Sequence, residues 1–147
     1  MRSSFSTAAF AAFLASTGLA AESDPMKMRL KVSMDQYETH LFENNVDHFN
    51  SNDVRTYKQR YWYNDKFFSG KEKHGPVFLY ICGEWTCTPP DEQMYPMMVG
   101  AEHEALLVSL EHRYYGESQP FDTWATENME YLSSKQALAD IAHFIES

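Results

Sequence analysis

Ser118 lies in a segment close to the pattern of a nucleophilic serine. Residues 116–120 read Gly-Glu-Ser-Gln-Pro. A nucleophile elbow requires Gly-x-Ser-x-Gly between a strand and a helix, because glycines relieve the strained turn that exposes the serine. Pro120 stands where the second glycine belongs, and the residues that follow it are typical of a loop. The segment therefore predicts a turn after a strand and not a nucleophile.

A second set of reactive side chains combines two histidines with three acids. Its members are Glu102, His103, Glu104, Glu111 and His112. A helical zinc site needs two histidines four positions apart, as in His-Glu-x-x-His, whereas His103 and His112 are nine positions apart. We therefore expect neither a metal site nor a cofactor, and we interpret His112 as a structural or loop histidine at the end of a strand.

The third candidate is the segment that directly follows the apolar run VFLYI. It reads Cys82-Gly83-Glu84-Trp85-Thr86-Cys87. A glycine there lets backbone N–H groups face the cleft beyond the carboxyl end of a strand, where open α/β sheets bind ligands. Cys82 and Cys87 are candidates for a small disulfide ring in an oxidising compartment. The alternative is that both thiols are buried or pair with other cysteines, since connectivity cannot be read from sequence.

The segments around these candidates predict a sheet with helices. Residues 56–63, TYKQRYWY, alternate between the two faces of a strand and, with residues 37–50, predict an antiparallel pair. Val77–Ile81 and residues 105–110 are short apolar runs bounded by turn signals, which favours buried parallel strands. Residues 93–104 predict one short helix, whose methionines we interpret as core packing.

The clearest helix is predicted near the C-terminus, after a Ser-x-x-Gln capping box at residues 133–136. Its apolar face is formed by Ala137, Leu138, Ile141, Ala142 and Ile145, whereas Lys135, Asp140 and Glu146 fall off that face. No Gly or Asn cap follows, so the chain is interpreted as a fragment that stops inside a helix. The strand–helix alternation predicts a parallel sheet covered on both faces, with an open hydrophobic edge.

The composition and the N-terminal residues narrow the class of protein to which the chain can belong. The 147 residues include 12 Lys+Arg and 21 Asp+Glu, and this excess of acid argues against a nucleic-acid partner. Two cysteines are too few for a disulfide-dense mini-protein. Residues 1–20 combine one arginine, a short apolar stretch and small residues, which predicts a secretory signal peptide. Residues 21–36 are interpreted as a linker or a loosely ordered start, and residues 37–147 as a partial folded domain. No membrane span is expected after signal removal.

Five motifs then occur in a characteristic order. They are VDHFN at 46–50, QRYWYND at 59–65, GPVFLYICGE at 75–84, ALLVSLEHRYYGESQPF at 105–121 and TENMEYLSSKQALADIAHFI at 126–145. In content and order they resemble the N-terminal part of the S28 serine exopeptidases. The resemblance implies an α/β fold, the N-terminal part of an α/β-hydrolase with an incomplete sheet.

The resemblance also implies a function. The full-length enzyme would be a secreted or lysosomal serine-type exopeptidase, a proline-directed carboxypeptidase or dipeptidyl peptidase that hydrolyses peptide substrates with a Ser-Asp-His triad. The family places its nucleophile one strand beyond the last helix, so no catalytic residue is expected in this chain. The alternative is a catalytically inactive secreted binding or regulatory module derived from a peptidase.

By position, Gly83 and Glu84 match the family's oxyanion-side loop. The family pattern there is Gly-Gly-Glu-Gly or similar, so Cys82 and Trp85 each replace a glycine. Trp85 is therefore a candidate for lining a substrate pocket, with a packing role as the alternative.

Overall fold

The computed structural model describes residues 37–91 and 93–147. The predicted signal peptide and linker lie outside the described residues. The elements in chain order are strands β1 (His40–Asn45), β2 (Thr56–Asn64) and β3 (Val77–Ile81), helix α1 (Tyr95–Glu102), strand β4 (Leu106–Leu110) and helix α2 (Ser134–Glu146). Two 3-10 helices cover Lys71–Lys73 and Thr126–Tyr131.

The four strands form one mixed sheet in the order β1-β2-β4-β3. β1 runs antiparallel to β2, which confirms the antiparallel pair. β2 is also antiparallel to β4. β3 and β4 are parallel, with Val77 opposite Leu106 and Ile81 opposite Leu110, as the two apolar runs predict. This small α/β domain is consistent with the N-terminal part of an α/β-hydrolase.

Neighbouring residues of β2 show that both faces of the sheet are covered, as predicted. The ring of Tyr61 lies 5.1 Å from that of Phe144 on α2. Trp62 points to the opposite face, where it is fully buried against the loop that follows β3. On that same face, Leu107 of β4 packs against Met97 of α1.

The methionine-rich segment forms the predicted short helix, although its methionines have different surroundings. Pro96 lies in the first turn of α1, where a missing N–H costs no helical hydrogen bond. Met97 is 1% exposed, and Met94 packs against the same cluster. Met98, however, is 53% exposed. The core-packing prediction is therefore correct for two of the three methionines and wrong for Met98.

Helix α2 begins where predicted, but its capping box is only half formed. The Ser133 hydroxyl accepts a hydrogen bond from the Gln136 amide N–H at 3.3 Å. The Gln136 side chain does not complete the box, because it donates to Asp47 at 2.6 Å and accepts from the His48 N–H at 3.0 Å. The helix start is therefore tied to the segment after β1.

The face that α2 buries differs from the apolar face that its sequence shows. Gln136 and Asp140 are its buried residues, whereas Leu138 and Ile145 are 66% and 67% exposed. The physical reason is that this side of the sheet presents buried polar groups, including Asn44 and Arg113, which need partners. A polar helix face satisfies these groups, and an apolar face would not.

Strand β3 lies at an edge of the described sheet, since it pairs with β4 alone. Its five residues are exposed or half-buried, and Val77 is 58% exposed. Four of the five residues of β4 are buried. The prediction of a buried strand is therefore correct for β4 and wrong for β3, which is the edge strand of the described sheet.

Candidate active-site loop

Residues 82–87, here called the β3 loop, follow strand β3 at its carboxyl end. The Cys82 N–H donates to the Leu110 carbonyl at 3.0 Å, so the loop begins as an extension of the parallel ladder. Cys82 and Cys87 are joined by a disulfide with a Cα–Cα distance of 5.5 Å. Both are buried against Trp62. The two ends of the loop are thus held together below the surface of the domain.

The middle of the β3 loop is exposed and offers hydrogen-bond donors. The Trp85 N–H donates to the Gly83 carbonyl at 2.8 Å. Within residues 37–91 and 93–147, the N–H groups of Gly83 and Glu84 donate to no acceptor. Unpaired amides beyond a parallel strand lie where open α/β sheets bind ligands. Two neighbouring N–H groups that are free to donate stabilise an oxyanion when both point at the oxygen that gains charge.

Gly83 is adjacent to the indole of Trp85. A Cβ atom at position 83 would lie 2.3 Å from two carbons of that ring. A side chain at position 83 would therefore require the Trp85 ring to move, although the backbone angle at this position is not unusual. Trp85 remains 60% exposed, so the contact with Gly83 uses only part of its surface. An aromatic side chain thus stands directly beside the unpaired amides.

Sequence reasoning missed the residue that anchors the far end of this loop. Glu111 follows β4 and is fully buried. Its carboxylate accepts the Cys87 N–H at 3.0 Å and forms a bidentate ion pair with Arg60 at 2.7 and 2.8 Å. The only signal in the sequence was an acid at the end of an apolar strand, and we grouped it with candidate metal ligands.

Ser118 is buried in the turn that the sequence predicts. Its hydroxyl donates to Glu111 at 2.7 Å and accepts the Arg60 N–H at 2.9 Å. The turn closes through hydrogen bonds between its backbone and that of Tyr114 and Tyr115. A hydroxyl that is 0% exposed and bonded on both sides cannot meet a substrate.

The histidine and acid set is not brought together. In the part of the chain that the structure describes, no group of three or more His, Cys, Asp or Glu side chains is placed to hold a metal ion. His103 is exposed near Phe78, with 6.1 Å between ring centroids. Nδ1 of His112 lies 2.7 Å from the Arg113 carbonyl, and its ring contacts Tyr115 edge-on.

A second buried polar cluster lies on the opposite face, under α2. Asp140 accepts two hydrogen bonds from Arg113 at 2.6 Å each and one from the Tyr57 hydroxyl at 2.9 Å. His48 Nε2 lies 2.8 Å from the same carboxylate. Burial, with the nearby Asp140 charge, raises the pKa of Tyr57 well above its usual value. The cluster holds the helix to the sheet, and the side chains of Tyr57, Arg113 and Asp140 in it are buried.

Taken together, the features define an α/β protein whose candidate site lies at the carboxyl edge of its parallel strands. The family model Serine carboxypeptidase S28 matches residues 44–147. The chain therefore belongs to the S28 serine carboxypeptidase family, which confirms the resemblance seen in the motifs.

Individual relatives agree with this assignment. The chain is 46% identical over 103 residues to "Probable serine protease EDA2" of Arabidopsis thaliana, covering 70% of this chain and 20% of the relative. It is 43% identical to the thymus-specific serine protease of Mus musculus, covering 68% and 19%. It is 39% identical to the lysosomal Pro-X carboxypeptidase of the same species, covering 75% and 23%. The chain thus spans about a fifth of the length of the curated relatives it matches.

No helix within residues 37–91 and 93–147 is long and apolar enough to cross a membrane.

Proposed function

We propose that residues 37–147 form the N-terminal part of the α/β-hydrolase domain of a serine-type exopeptidase, and that the β3 loop is its oxyanion-side loop. One observation carries the proposal. The N–H groups of Gly83 and Glu84 are unpaired at the carboxyl end of a parallel strand, in a chain that belongs to the S28 family.

In the proposed reaction, a serine attacks the peptide carbonyl while a histidine takes its proton. The carbonyl oxygen gains negative charge as the tetrahedral intermediate forms. An N–H of the β3 loop donates to this oxygen, and the loss of one such donor costs about 10²–10³ in kcat. The serine, aspartate and histidine come from the parts of the domain that follow α2 in the family.

The proposed substrates are peptides cleaved after proline, in keeping with the name of the related lysosomal Pro-X carboxypeptidase. The exposed indole of Trp85 lies beside the unpaired amides and lines the substrate pocket in this proposal. A flat aromatic face offers apolar contact area to a proline ring. The predicted signal peptide over residues 1–20 supports a location in the secretory pathway, extracellular or lysosomal.

The test uses the complete protein that carries this chain, purified from a secretory expression host. It is incubated with two peptides of equal length, one with proline next to last and the other with proline second. Loss of one C-terminal residue from the first peptide identifies a carboxypeptidase, and release of an N-terminal dipeptide from the second identifies a dipeptidyl peptidase. Mass spectrometry reads both outcomes.

A sample treated with an excess of a fluorophosphonate, which phosphonylates activated serines with loss of fluoride, is the control. We expect cleavage of one peptide and its loss after this treatment. An intact, folded protein that cleaves neither peptide and takes up no fluorophosphonate contradicts the proposed function.

A further inference from the structure

The carboxylate of Glu111 joins three separate segments of the chain. Oε1 accepts the Cys87 N–H at 3.0 Å and Arg60 Nη2 at 2.7 Å. Oε2 accepts Arg60 Nε at 2.8 Å and the Ser118 hydroxyl at 2.7 Å. The N–H groups of Glu117 and Ser118 lie a further 3.2 Å from Oε2. A carboxylate has about four lone-pair sites, so the acceptor capacity of this one is fully used.

Gly116 shows how closely the turn fits this carboxylate. A Cβ atom at position 116 would lie 1.9 Å from Glu111 Oε1, and the residue has a φ of +55°. Glycine is required both by this contact and by the left-handed backbone. The turn that contains Ser118 is therefore built around the Glu111 side chain.

The two ends of the β3 loop are held to the sheet in different ways. The Cys82 end continues the ladder between β3 and β4 through its N–H. The Cys87 end has no place in the ladder, and its N–H donates to Glu111 instead. The disulfide ties Cys87 to Cys82, but a bond between side chains leaves the orientation of the Cys87 peptide open. Glu111 fixes that orientation.

We propose that Glu111 is a positioning residue, which holds the β3 loop through the Cys87 N–H so that the amides of Gly83 and Glu84 keep one direction. The catalytic part of this inference rests on the proposed function. Glu111 touches neither substrate nor reacting atoms, since it is fully buried. Its effect is transmitted through the backbone of the loop.

Glu117 provides a matched control. It is also a glutamate and also pairs with Arg60, with 3.1 Å between Arg60 Nη1 and Glu117 Oε1. Its side chain is 80% exposed and accepts no N–H from the β3 loop. Glu117→Gln therefore removes a charge near Arg60 without touching the loop.

The experiment compares Glu111→Gln, Glu111→Asp and Glu117→Gln in the complete protein. In the unmodified protein, both oxygens of the Glu111 carboxylate accept hydrogen bonds. In Glu111→Gln, one of these oxygens is replaced by an NH₂ group, which is itself a donor and cannot accept them. Glu111→Asp keeps the charge but retracts it by one methylene from the Cys87 N–H, and it serves where the Gln variant fails to fold. Hydrogen exchange is measured for the amides of residues 83–87 and, as an internal reference, for those of β4.

We expect exchange at the hydrogen-bonded amides of Trp85 and Cys87 to rise about tenfold or more relative to β4 in both Glu111 variants, and to stay within about twofold in Glu117→Gln. Peptide hydrolysis should lose about tenfold or more in kcat with KM within about twofold, because an oxyanion donor acts only in the transition state. If Glu111 were merely structural, its variants would raise exchange in β4 as much as in the loop, and kcat would not fall selectively while KM stayed nearly constant.

The two proposals fail in different ways. If the unmodified protein hydrolyses no peptide, the proposed function is wrong, and loop exchange alone decides whether Glu111 positions the loop. If loop exchange in the Glu111 variants matches that of Glu117→Gln, the positioning inference is overturned. It is also overturned if kcat falls while loop exchange stays unchanged.

Discussion

Gly83 and Trp85 depend on each other because the indole occupies the space in which a side chain at position 83 would lie. The large exposed area of the indole lies next to the amides proposed to bind the oxyanion. The pair therefore shapes the surface beside those amides.

Gly83→Ala tests this dependence. The new methyl group would lie 2.3 Å from the Trp85 ring, so we expect the ring, which is 60% exposed, to move and stability to fall by no more than about 1 kcal/mol. In the complete enzyme, kcat should fall about tenfold or more as the amides lose their direction. Tryptophan fluorescence and steady-state kinetics measure the two effects.

The double variant Gly83→Ala/Trp85→Gly is the control, since it keeps the methyl group and removes the ring that it strikes. It should recover stability relative to Gly83→Ala. Equal stability and unchanged fluorescence in the single variant and the unmodified protein would contradict the account.

The β3 loop was predictable from sequence because its signal is local: an apolar strand followed at once by cysteine and glycine. The role of Glu111 was not, because its partners are distant. Arg60 and Cys87 are 51 and 24 positions away. Only the strand order β1-β2-β4-β3, which no local pattern specifies, brings these three residues together.

Helix α2 shows how an element can be predicted correctly and oriented wrongly. Its bounds follow from local propensity and from the Ser133 cap. Its buried face follows from the sheet surface that it meets, where Arg113 and Tyr57 require an acceptor. Asp140 supplies that acceptor, so the polar side turns inward. The hydrophobic periodicity of a helix does not show whether the sheet beneath it presents polar groups that need hydrogen-bond partners.

Asp140→Asn tests how strongly this cluster holds the helix. The substitution removes the charge that pairs with the buried Arg113 guanidinium, and breaking a buried pair costs about 3–5 kcal/mol. We expect a loss of this order in the free energy of unfolding, measured by urea denaturation. The helix should loosen at the same time, with faster amide exchange over residues 134–146.

Glu146→Gln is the matched control for Asp140→Asn. It lies on the same helix, carries the same charge and is exposed. A substitution at such a site should change stability by less than about 0.5 kcal/mol. Similar losses in the two variants would show that the Asp140 cluster does not hold α2.

At the scale of the sheet, the sequence predicted the strands, the antiparallel β1–β2 pair and the parallel β3–β4 pair, but not the β2–β4 pairing or the burial of each strand. VFLYI and the run 105–110 look alike by composition, yet β4 lies between β2 and β3 while β3 has one neighbour among the described strands. Burial depends on position in the sheet, which the composition of a strand does not encode. The parallel pair of β3 and β4 was accessible because it follows from strand–helix alternation, whereas the antiparallel pairing of β2 with β4 was not.

The pH dependence of the folding stability is set by carboxylates spread over the domain, whose pKa values differ between the folded and unfolded states. Among the described residues, three carboxylates have a lowered pKa. The Lys58 ammonium lowers that of Glu43, the Phe49 N–H that of Asp47, and Arg55 lowers that of Asp53 from 3.8 to about 2. A carboxylate whose pKa is lower in the folded state stabilises the fold above its unfolded pKa and loses this contribution as the pH falls.

Stability should therefore receive a constant contribution from these carboxylates above about pH 5 and lose it steadily below about pH 4. For Asp53, the loss should fall in the window between 3.8 and about 2. Urea denaturation midpoints measured from pH 7 to pH 2 test this. Asp53→Asn should lower the midpoint at pH 7 and flatten its fall below pH 4, because the variant has no proton to take up at that position.

Asp122→Asn is the control, since Asp122 is exposed and forms no ion pair among the described residues. A fall in the Asp53→Asn midpoint that is as steep as that of the unmodified protein would contradict the assignment to Asp53.

The predicted window also bears on the proposed secretory location. A mildly acidic compartment, about pH 5 to 6, lies above it, so these pairs remain intact where the enzyme is proposed to act.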